Sequence, residues 1–248
     1  MEVHHTSHFS HKPKRWRDYY LEFLMIFLAV TMGFFAENAR EYITNNKKEN
    51  HYIRSLAEDI KSDTAQLNKY IRFKISVLNY CDSLQFIISH TDVFKNSNSL
   101  YTYSGELTRY MRYYPADRTI EQLKNSGNMQ LIRDWNVSNA ISEYYSKTKF
   151  MEEADQELNE EVLRFRRYLI ELLDLSSYDR LNKPGSFLDN IPTKGNPALI
   201  FYDSRKIKII YNEVFALKAF LNSDNQYAHS LLKNATGLLL LLHKQYDL

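Results

Sequence analysis

The sequence predicts an all-α protein: an N-terminal transmembrane helix followed by a bundle of three long helices with a short helical insertion. Three observations predict it. Residues Phe23 to Ala36 read FLMIFLAVTMGFFA, without a charge, in a chain that is elsewhere polar. Three later segments repeat apolar residues at alternating spacings of three and four, the seven-residue beat of helices packed at a shallow angle. Glycine and proline are scarce, 6 and 5 in 248 residues, which favours long uninterrupted helices over sheets and turns.

The expected organisation is a basic, histidine-rich tail at 1–18, a transmembrane helix at 19–36 and an extramembrane part at 37–248. A helix crossing a bilayer core needs ~20 apolar residues at ~1.5 Å rise each. The stretch from Tyr19 to Ala36, interrupted once by Glu22, is close to that minimum. A buried core helix would carry a polar stripe, and Phe23 to Ala36 has none. A cleavable signal needs small residues before its cut. The candidates Phe34-Phe35-Ala36 and Glu37-Asn38-Ala39 put Phe or Glu there, so an uncleaved anchor is the better reading. Trp16, Tyr19 and Tyr20 form an aromatic belt for the interface.

Orientation rests on Lys and Arg. Lys12, Lys14, Arg15 and Arg17 precede the span, and Arg40, Lys47 and Lys48 follow it. The first group is larger and closer, which places the N-terminus in the cytoplasm and the rest in the periplasm of a Gram-negative cell. Glu22 has two readings. It is an intramembrane carboxylate for a partner helix, or a headgroup-level residue with its charge in water one turn from the end. Ala29-x-x-x-Gly33 is a weak small-xxx-small hint of helix pairing.

The charge balance excludes one class of partner. With 25% charged residues and net charge +2, there is no electrostatic footprint for nucleic acid. The single cysteine, Cys81, permits neither an intramolecular disulfide nor a CxxC motif.

From Lys48 to about Ile88 the first stripe runs Ile53, Leu56, Ile60, Leu67, Tyr70, Val77, Cys81, Leu84 and Ile88, with Asp63 and Lys74 as breaks. The second runs Val137, Ile141, Tyr144, Met151, Leu158, Val162, Phe165, Leu169 and Leu172, broken by Thr148 and Asp155. The third runs Ile207, Ile210, Val214, Leu217, Leu221, Ala228, Leu231, Ala235, Leu238 and Leu242, broken by Asp224. Asp134 and Asp203 or Ser204 are capping types ahead of the second and third helices. No Gly or Pro separates Gly33 from Gly105, so the anchor runs into the first long helix, with Asn45-Asn46 its weakest point. Gly237 costs the third helix ~1 kcal/mol. The run Leu238 to Leu242 is too short for a second span and reads as the buried end of a bundle helix.

Two connections join the helices. Residues 91–133 hold polar turn material, the segment Ser104 to Tyr114, Pro115, and a short helix capped by Thr119 and stopped at Ser126-Gly127. Residues 175–203 carry Pro184, Pro192 and Pro197 and read as a long surface loop. Following the chain out and back puts this loop near the membrane and the 91–133 insertion at the far end.

The motifs point away from catalysis. His4, His5, His8 and His11 share the tail, but nothing there would orient imidazoles for a metal. Glu152, Glu153, Glu157, Glu160 and Glu161 lack the Glu-x-x-His partner of a di-metal bundle and read as a solvated face. There is no phosphate loop, Gly-x-Ser-x-Gly elbow or His-Glu-x-x-His. No catalytic residue, metal or cofactor is therefore expected. The cluster around Tyr110, Arg112, Tyr113 and Tyr114 is either a binding surface, since aromatics with Arg anchor such surfaces, or the core of the insertion.

The segment Glu22-Phe23-Leu24-Met25-Ile26-Phe27-Leu28, led by Arg15-Trp16 and ended by Ala36-Glu37-Asn38, is similar to an uncharacterised family of single-pass membrane proteins from Bacteroidota. So is Leu123-Lys124-Asn125-Ser126-Gly127-Asn128-Met129-Gln130-Leu131-Ile132, followed by Tyr144-Tyr145. The resemblance implies a Glu-led anchor, a helical extramembrane domain and an inner-membrane address. It implies no activity. The expected function is a membrane-anchored, non-enzymatic interaction or scaffold subunit, with Glu22 the candidate contact in the membrane. The alternative is a periplasmic small-ligand sensor. Beyond the lipid membrane, a protein partner or a homo-oligomer is expected, because three amphipathic helices enclose a thin core.

Overall fold

The computed structural model describes residues 15–179, 195–200 and 203–248. These residues are almost entirely helical. The elements are α1 (Trp16–His90), α2 (Ser97–Leu107), α3 (Arg118–Asn125), a 3-10 turn (Asn128–Leu131), α4 (Trp135–Leu169), α5 (Ser176–Asp179) and α6 (Ser204–Tyr246). Among the described residues there is no strand, and one isolated antiparallel bridge pairs Leu173 with Leu199. The chain divides into two compact units, Met1–His51 and Tyr52–Leu248.

In the first unit the described chain is the opening part of α1. It contains an 18-residue window of mean hydropathy 1.8, none of it buried. Asn45 and Asn46 lie inside α1 without ending it. Asn costs a helix less than ~0.7 kcal/mol relative to Ala, and no Gly or Pro adds to that.

In the second unit the remainder of α1 packs with α4 and α6. Every apolar residue in the three stripes is buried, with Ile88 partly so. Two separate apolar cores result. One joins Ile53 to Ile71, Val137 to Met151 and Ala228 to Leu242. The other joins Val77 to Leu84, Leu158 to Leu173 and Ile207 to Leu221. The Leu238–Leu242 run closes the first core, although Leu240 faces out. Asp134 caps α4 by accepting from the N–H groups of Asn136 and Val137, at 2.8 and 3.1 Å, and Asp203 caps α6 by accepting from Arg205 N at 2.8 Å. Gly237 does not interrupt α6, because buried Ala235 and Leu238 flank it.

The chain path departs from the expectation. Asp63 meets Tyr144 and Tyr70 meets Asp155, so α1 and α4 run parallel. Arg164 meets Glu213 and Lys147 meets Asn234, so α6 runs antiparallel to both. Parallel neighbours need a return crossing. Residues 91–133 supply it: α2 packs in the Val77–Leu84 core, and α3 and Ile132 pack in the Ile53–Ile71 core. The insertion is therefore not confined to one end. The described part of the 175–203 loop lies at the His90 end of α1, not the Tyr52 end as expected. Asn196 Nδ2 donates to Lys95 O at 2.7 Å, and Tyr101 Oη donates to Ala198 O at 2.7 Å. Thr119 is also placed differently. Helix α3 begins at Arg118, and Thr119 donates its hydroxyl to Asp59 rather than capping. Gly127, at φ +67°, makes the left-handed turn between α3 and the 3-10 turn that a side chain would resist.

Candidate functional site

The breaks in the three stripes are not breaks in packing. Asp63, Lys74, Thr148, Asp155 and Asp224 are each at most 3% exposed. Lys74 comes from α1, Asp155 from α4 and Asp224 from α6. Each holds the place that an apolar residue would take in its stripe. Together they form a charged layer between the two apolar cores.

The layer is short-range and dense. Lys74 Nζ is 3.2 Å from Asp224 Oδ2 and 3.6 Å from Asp155 Oδ1. It also lies 4.3 Å from the Tyr70 ring centroid and 5.6 Å from that of Tyr110, so two aromatic faces help to hold the ammonium. Tyr70 Oη is 2.6 Å from Asp155 Oδ1 and 2.5 Å from Asp224 Oδ2. Tyr110 donates to Asp155 Oδ2 at 2.6 Å.

Proton counting constrains this arrangement. Tyr70 carries one hydroxyl proton and faces two carboxylates. With both ionised, one of the two short contacts has no proton. If Asp224 keeps its proton, Asp224 donates to Tyr70, Tyr70 donates to Asp155, and Lys74 balances the one remaining charge. Burial pushes the Asp224 carboxyl above its ordinary range, against the pull of Lys74, and pulls the Lys74 ammonium down. Both directions follow from the cost of charge in a dry interior. Asp224 Oδ1 has no hydrogen-bond partner among the described residues.

A second level ties down the connector between α2 and α3, residues 108–117. Asp63 accepts from Ala116 N at 2.7 Å and from Tyr144 Oη at 2.7 Å. Tyr145 donates to Ala116 O at 3.2 Å. One turn earlier on α1, Asp59 accepts from Thr119 N at 3.2 Å. Asp63 and Asp155 thus hold the connector, and Asp59 holds the first turn of α3 that follows it. Backbone donors along a crossing segment have no ladder of their own, so buried acceptors must be supplied from the helices.

The residues expected to form a binding surface separate. Tyr113 is 1% exposed and packs edge-on against Tyr70, with ring centroids 6.3 Å apart. Tyr110 is half-buried in the charged layer. Arg112 and Tyr114 remain exposed and stack on each other, guanidinium 5.1 Å from ring centroid. Glu22 lies on α1 in the first unit, exposed. Of the acidic run, Glu161 pairs with Arg164, while Glu153 and Glu157 line a cleft between α4 and α6. No three His, Cys, Asp or Glu among the described residues could hold a metal together. The histidine tail lies outside the described residues. Cys81 is buried in the apolar core, which pushes its thiol up to about 12 and leaves it unreactive.

Compared with known protein families, curated proteins and solved structures, the chain matches none.

Proposed function

We propose that this chain is a membrane-anchored, non-enzymatic interaction or scaffold subunit. A single N-terminal helix holds it in the inner membrane with the N-terminus in the cytoplasm. The Tyr52–Leu248 unit is a three-helix bundle in the periplasm. The observation that carries this reading is the uncovered apolar stretch of α1. Leu21, Phe23, Met25, Ile26, Phe27, Leu28, Val30, Met32, Phe34 and Phe35 are each between 48% and 72% exposed. Transfer of such side chains out of water yields roughly 1.5–3 kcal/mol apiece, so hydrocarbon contact is worth on the order of 20 kcal/mol. That exceeds the usual stability of a whole domain.

The subunit reading is supported by how the second unit spends its charged residues. The buried lysine and aspartates bond to one another and to the connector, which makes a specified shape. The resemblance to single-pass membrane proteins agrees with the anchor. The test is purification of C-terminally tagged protein in mild detergent, with mass spectrometry of what accompanies it. A foreign protein in stoichiometric amount is the expected result; a lone chain counts against a scaffold. Glu22→Gln is expected to leave insertion intact and to lower partner recovery. Unchanged recovery removes Glu22 from the interface.

A further inference from the structure

Between α4 and α6 a cleft of about 340 Å³ opens beside the charged layer. Its walls are aromatic and acidic: Phe150, Phe220 and Tyr227 on one hand, Glu153, Glu157 and Asp224 on the other. Among the described residues no basic side chain lines it. Phe150 and Tyr227 meet at 89° with centroids 5.0 Å apart, a corner of two rings of the kind that encloses an ammonium group. Asp224 is 2% exposed. Its Oδ2 is taken by Tyr70 and Lys74, while its Oδ1 is buried without a partner. A buried acceptor left unmet costs ~1–3 kcal/mol, and a donor arriving through the cleft recovers it. Among the described residues no donor reaches Oδ1, and the Lys74 ammonium sits on the other oxygen, Oδ2, at 3.2 Å.

We propose that this cleft binds a small organic cation, an alkyl ammonium held by the Glu153 and Glu157 carboxylates and the aromatic corner, with Asp224 in its wall. The site is independent of the anchoring reading. An ammonium suits every group there. Carboxylates supply charge, rings supply quadrupole attraction, and both are stronger in a partly desolvated cleft. An anion would meet three carboxyls. A neutral apolar ligand would bury Glu153 and Glu157 without compensation.

The test is calorimetric titration of the full chain in a non-ionic maltoside detergent with choline and, separately, putrescine. The control is 3,3-dimethylbutan-1-ol, the uncharged isostere of choline. Saturable binding of either cation at one site per chain is expected, with none of the isostere. The double variant Glu153→Gln/Glu157→Gln, on exposed positions that leave the core intact, should weaken binding about tenfold or more. Tyr227→Leu should weaken it about fivefold or more by removing one wall of the corner. A quaternary-selective site binds choline alone, and a diamine site binds putrescine more tightly. Absence of saturable heat with both cations overturns the proposal, as does equal binding of the isostere or unchanged affinity in both variants.

Discussion

Removing the Lys74 ammonium would leave Asp155 and Asp224 facing each other across Tyr70 with no cation. Lys74→Met should therefore cost about 3–5 kcal/mol, since breaking one side of a buried pair strands the other. Urea unfolding followed by circular dichroism measures it, and a loss under about 1 kcal/mol would mean that the carboxyls share a proton without help from the lysine. Tyr110→Phe removes a single hydroxyl from the rim of the layer and should cost roughly 1–2 kcal/mol. Asp63 tests the effect of pH. Burial holds its carboxyl above the usual range, so the folded chain keeps that proton to higher pH than the unfolded chain does. The stabilisation linked to the proton is complete below the unfolded value of about 3.9 and is lost as pH rises through the folded value. The advantage of the natural protein over Asp63→Asn should thus be largest near about pH 4 and shrink as pH rises through the folded value. An advantage that grows with pH would show that the bonds from Ala116 and Tyr144 outweigh desolvation.

At the scale of elements, the three stripes were legible because α1, α4 and α6 bury one face each and the helical period marks it. The charged layer was half legible. Lys74, Asp155 and Asp224 stood out as interruptions, yet each keeps the register of its stripe, and the lysine of the first stripe is opposite in sign to the aspartates of the other two. A charged residue in phase with an apolar stripe is the signature of a buried pair. Reading the interruptions together would have found it. The parallel path of α1 and α4 was hidden because periodicity says nothing about direction. The signal lay in the connection. A link from His90 to Trp135 is long enough to run back along the helices, whereas short links join antiparallel neighbours. The anchoring of the connector to Asp63 and Asp155, and of α3 to Asp59, was out of reach, since bonds between residues dozens of positions apart leave no local pattern. One consequence follows for α1, α4 and α6 together. Replacing the charged triad together with the hydroxyls that bond to it, by Lys74→Met, Asp155→Leu and Asp224→Leu with Tyr70→Phe and Tyr110→Phe, should be neutral or stabilising by up to about 4 kcal/mol, because a desolvated polar layer gives way to apolar contact with no donor left unpaired. Loss of cooperativity in the unfolding transition would show instead that the layer fixes how the helices align.

For the whole molecule, the proposed function gives the two units different surroundings: hydrocarbon for the exposed apolar stretch of α1, water for the Tyr52–Leu248 unit. The proposed orientation predicts that protease added to spheroplasts degrades the second unit while intact cells protect it. Protection in spheroplasts would place that unit in the cytoplasm. The claim on which the rest depends is anchoring itself. Its most direct test is extraction of isolated membranes with alkaline carbonate, followed by detection of the C-terminal tag. The account predicts that the chain stays in the membrane pellet and leaves it only with detergent; release into the alkaline supernatant would contradict it.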